Sequence, residues 1–237
     1  MHASEGRLHL LGTVHRDPRG AVKLYHALSS TNPSVVTIEV SPFALELRRQ
    51  RGPALRARLK RHGERLAREL GRPSAEVHNH PAIALLRAAL YLPFEHVAAK
   101  RWARAHGARC LAIDDSERSR GLLALLEEEA LDYANLRALL EEPDSASLGE
   151  RVIEQELLAR QYLRRPGMFA YHFSEADRTE LADRDRLMAV RIRALLEEDP
   201  EARLAHVCGW EHLVLCDAIE NIAAQLAELE PSCALIV

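Results

Sequence analysis

Two short turns carry the residue types best suited to chemistry: Gly12-Thr13-Val14-His15 near the start of the chain and Gly209-Trp210-Glu211-His212 near its end. In each, the glycine permits a sharp turn and close backbone approach, and a histidine follows three residues later. Glu39 ends the apolar run Val35-Val36-Thr37-Ile38, and Asp114 and Asp115 end Cys110-Leu111-Ala112-Ile113. Two imidazoles and a carboxylate can hold a divalent metal while leaving positions open for water or substrate. Such a metal lowers the pKa of bound water and polarises a carbonyl. An oxygen-rich set suits manganese or a similar metal, whereas added thiolate favours zinc. One Gly-x-x-His alone more often marks a capping or packed histidine. Two copies with a strand-end glutamate give the metal reading equal standing.

These residues need elements to bring them together. Strand-like runs cover Arg7–Gly12, Val35–Val40, Cys110–Asp115 and Leu204–Gly209, and Ser232–Val237 can supply a last strand. Asp17-Pro18, Ser41-Pro42 and Ser116 read as helix starts after the first three, and a further helix is expected from near His212. Apolar residues at three- and four-residue spacing mark helices around 20–30, 43–70, 82–106, 117–142, 148–164 and 175–198. Strands alternating with helices imply βα units, hence an α/β fold with a largely parallel or mixed central sheet flanked by helices. Ligands of such sheets bind outside the carboxyl ends of the strands, where these residues can converge. The stretch 117–200, broken at Pro143 and Pro166-Gly167, reads as a helical insertion within a single domain spanning 1–237.

The chain has 237 residues, 32 basic and 35 acidic, a formal net charge of -3, and only three lysines. That balance gives no electrostatic footprint for nucleic acid. The basic run from Arg48 to Arg72 contains few aromatics and reads as a solvated helical face. No apolar run approaches the roughly 18 residues of a membrane helix, and the first residues lack a signal-peptide pattern. Cys110, Cys208, Cys216 and Cys233 form no Cys-x-x-Cys and read as buried, reduced thiols, which suits a cytoplasmic protein.

Further histidines have ordinary explanations. His78 and His80 flank Asn79 and precede Pro81, so they cannot share a helical face. Cys208, His212 and Cys216 recur every four residues, but Gly209 interrupts any helix. His172 in Tyr171-His172-Phe173 can bind substrate or pack. Asp183-Arg184-Asp185-Arg186 opens a helix face that continues as Met188 and Ile192. It reads as a solvated charge run, or as an arginine stabilising negative charge with an acidic neighbour orienting it.

In order along the chain, Leu11-Gly12-Thr13-Val14-His15, Val36-Thr37-Ile38-Glu39, Asp183-Arg184-Asp185 and Val207-Cys208-Gly209-Trp210-Glu211-His212-Leu213 resemble the motifs of the TraB/PrgY/GumN/Tiki family. Asp183 stands where that family places a glutamate, and Trp210-Glu211 stand where it has a smaller residue before the histidine. The resemblance implies the fold of erythromycin-esterase-like and ChaN-like proteins. It also implies peptidase activity supported by manganese or cobalt. Carried over by position, His15, Glu39 and His212 become metal-site residues, with Arg184 and Asp185 supporting them and Arg48 matching a downstream arginine. Trp210 is expected to crowd the crevice.

The expected mechanism is attack of a metal-activated water on an amide carbonyl of a peptide or other small substrate. Glu39, Asp114, Asp115 or Glu211 would accept the proton, and Arg184 and Arg48 would stabilise the oxyanion. The alternative is a non-catalytic protein that sequesters a peptide signal or haem, as PrgY-like and ChaN-like relatives do.

Overall fold

In the computed structural model, residues 6–141, 146–172 and 174–237 are described, with only the backbone of Tyr171 and His172. The expected break at Pro143, the first residues of the chain and Phe173 lie outside the described residues, as does the side chain of His172.

Five strands, β1 (Leu8–Thr13), β2 (Val35–Ile38), β3 (Arg109–Ala112), β4 (Leu204–Gly209) and β5 (Ser232–Ile236), form one sheet in the order β3-β2-β4-β1-β5. Every pairing is parallel, which settles the choice between a parallel and a mixed sheet. β4 lies between β1 and β2, with Leu204 opposite both Leu8 and Val35. A parallel strand covered on both faces is apolar nearly throughout, and β2 and β4 are buried at every position. The strands stop earlier than the apolar runs do. Glu39 therefore lies one residue beyond β2, and Asp114 and Asp115 lie beyond β3.

The helices are α1 (Gly20–Thr31), α2 (Pro42–Gln50), α3 (Gly52–Glu69), α4 (Ser74–Asn79), α5 (Pro81–Ala89), α6 (Phe94–His106), α7 (Ser116–Leu125), α8 (Tyr133–Glu141), α9 (Leu148–Arg164), α10 (Glu175–Glu198) and α11 (Ile222–Gln225). Three expected helices are each divided. Pro53 and Pro93 lack the N–H that would continue a helix into them, and new helices begin beside each. A π-helical turn, Leu126–Ala130, separates α7 from α8. The stretch Pro81–His106 has the length and mean hydropathy (1.3) of a membrane span, contrary to the sequence reading. It is nonetheless broken between Ala89 and Phe94. The helix expected from near His212 is instead a 3-10 turn, Trp210–Leu213. Ser41 caps α2 as expected, its hydroxyl accepting from Ala44 N at 3.0 Å. Asp17 does not cap α1; its carboxylate accepts from Arg19 N and pairs with Lys23.

The chain divides into two compact units. The first (Met1–Val40, Phe94–Asp115, Ile153–Val237) contains the whole sheet. In it, Met188, Ala189, Ile192 and Leu196 of α10 and Ile222 and Ala223 of α11 pack on Leu8, Leu10, Leu204 and Cys208. The second (Ser41–Pro93, Ser116–Val152) is helical, around Leu55, Leu59, Leu66, Val77, Ile83, Leu136 and Leu140. The helical stretch 117–200 is thus shared between the two units. All four cysteines are unpaired, but only Cys208 is buried and Cys233 is exposed, which corrects the expectation of four buried thiols.

Candidate functional site

β1, β2 and β4 are neighbours, so their carboxyl ends deliver His15, Glu39 and His212 to one place within the first unit. α10 brings Arg184 and Asp185 to the same place, and the residues after β3 bring Asp114.

Glu39 is the hub. Its Oε1 lies 2.6 Å from Arg184 Nη1 and 3.1 Å from His212 Nε2, and its Oε2 accepts from Gly209 N at 2.6 Å. Arg184 also grips Asp114 with both arms of its fork, Nε at 2.9 Å and Nη2 at 2.5 Å. Behind His212, Nδ1 is 2.6 Å from Asp185 Oδ1, an ion pair outside good hydrogen-bond alignment. Asp185 Oδ2 accepts from Ile222 N at 2.7 Å, which ties the fully buried carboxylate to the start of α11.

His15 stands on the other side of Gly209. Its Nδ1 is 2.7 Å from Glu95 Oε1, and the Thr13 hydroxyl lies 3.2 Å from the same oxygen and 3.1 Å from Cys208 O. Next to His15, Arg16 has φ 66°, a left-handed conformation costly for a side-chain-bearing residue and typical of turns that aim a functional group. Gly209 provides the space between the histidines. A Cβ there would lie 2.7 Å from Glu211 Oε2, 3.1 Å from His15 Nε2 and 3.5 Å from His212 Cδ2.

Charge follows from this packing. Burial opposes a charge on His212, but Glu39 and Asp185 outweigh it and raise its pKa well above the ordinary value. Burial likewise opposes the Glu39 anion, and His212 and Arg184 overcome it and hold the carboxyl well below its ordinary range. Without a ligand the pair is therefore charged. At His15 the packed surroundings oppose protonation although half the side chain is exposed, and the Glu95 contact raises it to about 9. Burial raises Glu211, partly offset by His15.

As the side chains stand, no three His, Cys, Asp or Glu among the described residues are spaced to hold a metal. The donor types nevertheless fit one. His15 and His212 both turn Nδ1 to a carboxylate and keep Nε2 on the side of Gly209, Glu211 and Glu39. Metal-binding histidines are commonly oriented in this way. Cys208 packs into the core, so the surrounding donors are nitrogen and oxygen.

The other expected residues have partners of their own. Arg48 belongs to the second unit, where Nε donates to Ala89 O and Nη1 to Ala44 O. His78 and His80 also lie in the second unit, at the end of α4 and just before α5. Trp210 is buried among other rings rather than open to solvent. Its ring stacks on Tyr162 at 6.0 Å and meets Phe169 edge-on, and Nε1 donates to Gln155 at 3.1 Å. A cavity of about 260 Å3 lies between α1 and α6, lined by Val22, Tyr25, Val97 and Arg101 among others and by none of the site residues.

Sequence reasoning missed Glu95 and His206. Glu95 resembles any acidic residue in the first turn of a helix, where the helix dipole favours it. His206 had a legible signal, a polar residue inside an apolar strand. It is fully buried, with Nδ1 2.9 Å from Thr37 Oγ1 and Nε2 without a partner, and burial lowers its pKa to about 3. No family model, no curated protein and no solved structure matches this chain.

Proposed function

We propose that this chain is a divalent-metal-dependent hydrolase acting on peptides, with His15, Glu39 and His212 as metal ligands. The observation that carries the reading is the matched orientation of His15 and His212, with Glu95 and Asp185 behind their Nδ1 atoms and Gly209 between them. The motif resemblance supplies the peptide as substrate class.

A metal bound there would supply an acidified water and polarise a carbonyl. The chain's own groups divide the remaining work. Glu39 suits a ligand more than a base, because His212 and Arg184 hold it ionised. Glu211 suits the proton acceptor, because burial raises its affinity for a proton. Arg184 orients Glu39 and Asp114, and its fork offers positive charge to a developing oxyanion. Asp185 holds the His212 ring in place from the start of α11.

One observation favours the second reading, a non-catalytic binder of a peptide or haem. In the Asp114–Arg184–Glu39–His212–Asp185 chain every charged group already faces a partner of opposite sign.

Thermal unfolding of the metal-stripped protein, titrated with manganese, cobalt and zinc, separates the two. At a hundred times its dissociation constant, an ion binding only the folded state adds roughly 2.7 kcal/mol. The gain is expected in the unaltered chain and absent in His15→Ala and His212→Ala, and metal-dependent cleavage of a peptide library should follow. No ion-specific shift would sink the metal reading and leave the binder, then tested with haem and peptides.

A further inference from the structure

We propose that Glu95 is the positioning residue that decides which nitrogen of His15 faces the site. The inference deepens the metal-site reading and rests on it for its consequence, although the orienting contact stands independently.

Glu95 lies in the first turn of α6, buried, and 80 residues from His15 in sequence. Its Oε1 meets two groups at the end of β1 and in the turn that follows, Thr13 Oγ1 at 3.2 Å and His15 Nδ1 at 2.7 Å. The Thr13 hydroxyl also reaches Cys208 O at 3.1 Å, which ties the carboxylate to β4 one residue before Gly209. α6 is itself fixed, since the ring of Phe94, the residue preceding Glu95, fills the space over Gly20 at the start of α1. The carboxylate is therefore held from three elements before any ligand arrives.

A neutral imidazole carries one proton, and its hydrogen bond decides where. In solution the proton prefers Nε2, the nitrogen that faces Gly209 and Glu211 here. A carboxylate accepting from Nδ1 places the proton there and leaves the Nε2 lone pair for a ligand. Asp185 sits at the same nitrogen of His212, as an ion pair at 2.6 Å outside good hydrogen-bond alignment. Glu95 thus gives the exposed histidine the orientation that burial helps to impose on its partner. Partners of this kind commonly change metal affinity by about 10–100-fold.

The test combines two readouts on the full chain. Long-range 1H–15N spectra of the metal-free protein, recorded above the pH at which His15 titrates, report its tautomer. Cobalt titration by calorimetry reports affinity. The unaltered protein and Glu95→Gln, whose carbonyl still accepts, should carry the proton on Nδ1. Glu95→Leu should move it to Nε2 and weaken cobalt binding by about 10–100-fold. Nδ1 protonation persisting in Glu95→Leu, or unchanged cobalt affinity, overturns the proposal. If Glu95→Leu does not fold, Glu95→Asp replaces it. It withdraws the charge by one methylene and should give mixed tautomers, and a pure Nδ1 tautomer there also overturns the proposal. If the unaltered chain binds no cobalt, the metal reading falls, and the tautomer comparison alone decides the role of Glu95.

Discussion

Gly209 is the residue whose side chain matters by its absence. Its φ of -62° and ψ of 150° suit any residue, so backbone strain does not explain the glycine. Space does, because a Cβ would press on Glu211 Oε2 and His15 Nε2. Glu211 Oε2 ends a flexible side chain that can swing aside, and His15 Nε2 at 3.1 Å need give by only a few tenths of an ångström. Gly209→Ala is therefore expected to cost little folding stability while weakening cobalt or manganese binding at least tenfold. Parallel denaturation and calorimetry check this, and equal affinity in the variant would show that the space is not a ligand's. Trp210 beside it has the opposite role. The sequence reading placed the indole in the crevice, but a large apolar ring gains more by joining Tyr162 and Phe169 than by lining a polar cleft.

The joint between α1 and α6 carries a sharper stability test. A Cβ on Gly20 would lie 2.4 Å from Phe94 Cζ, and a ring wedged between helices cannot yield as a flexible chain end does. Gly20→Ala should cost about 1–3 kcal/mol in urea denaturation, the usual result of overpacking. Adding Phe94→Leu should restore part of it, and additive losses would mean that the two residues do not press on each other. Strands and helices differed in how far they could be read from sequence. Apolar runs bounded by Gly, Ser and Asp marked all five strands, most sharply β2 and β4, since a strand buried on both faces has little freedom in composition. Helix periodicity continued across Pro53 and Pro93, since the apolar spacing persists after the backbone has broken. His15, Glu39 and His212 were legible because each follows a strand that ends in turn chemistry. Glu95 was not, because only the packing of α6 against α1 and the sheet brings it to His15.

Buried ionisable groups should shape the pH response of the whole metal-free molecule. His206 is held neutral, with its pKa lowered to about 3. Between that value and the ordinary 6.5, the unfolded chain binds the extra proton and stability falls as pH falls. The slope approaches about 1.4 kcal/mol per pH unit for one proton. His15 and His212 act in the opposite sense. Their raised values give stability that is complete below about 6.5 and declines as pH rises through the folded-state values, about 9 for His15. Stability by urea denaturation should therefore peak close to pH 6.5. His206→Asn should flatten the acid side of that curve, and an acid limb of unchanged steepness would assign it to other groups.

The position of β4 between β1 and β2 also has a consequence during synthesis. When the ribosome has made β1, β2 and β3, the strand that must separate the first two is still unmade, and Leu8 will find Leu204 only 196 residues later. β1 has no native neighbour in the sheet until then, because both of its partners, β4 and β5, come from the last part of the chain. Such distant pairings are slow to form and leave apolar edges open meanwhile. The nascent chain thus spends most of its elongation with an apolar β1 unpaired, a natural client for chaperones. His15, although among the first residues to emerge, meets His212 only when translation is nearly complete.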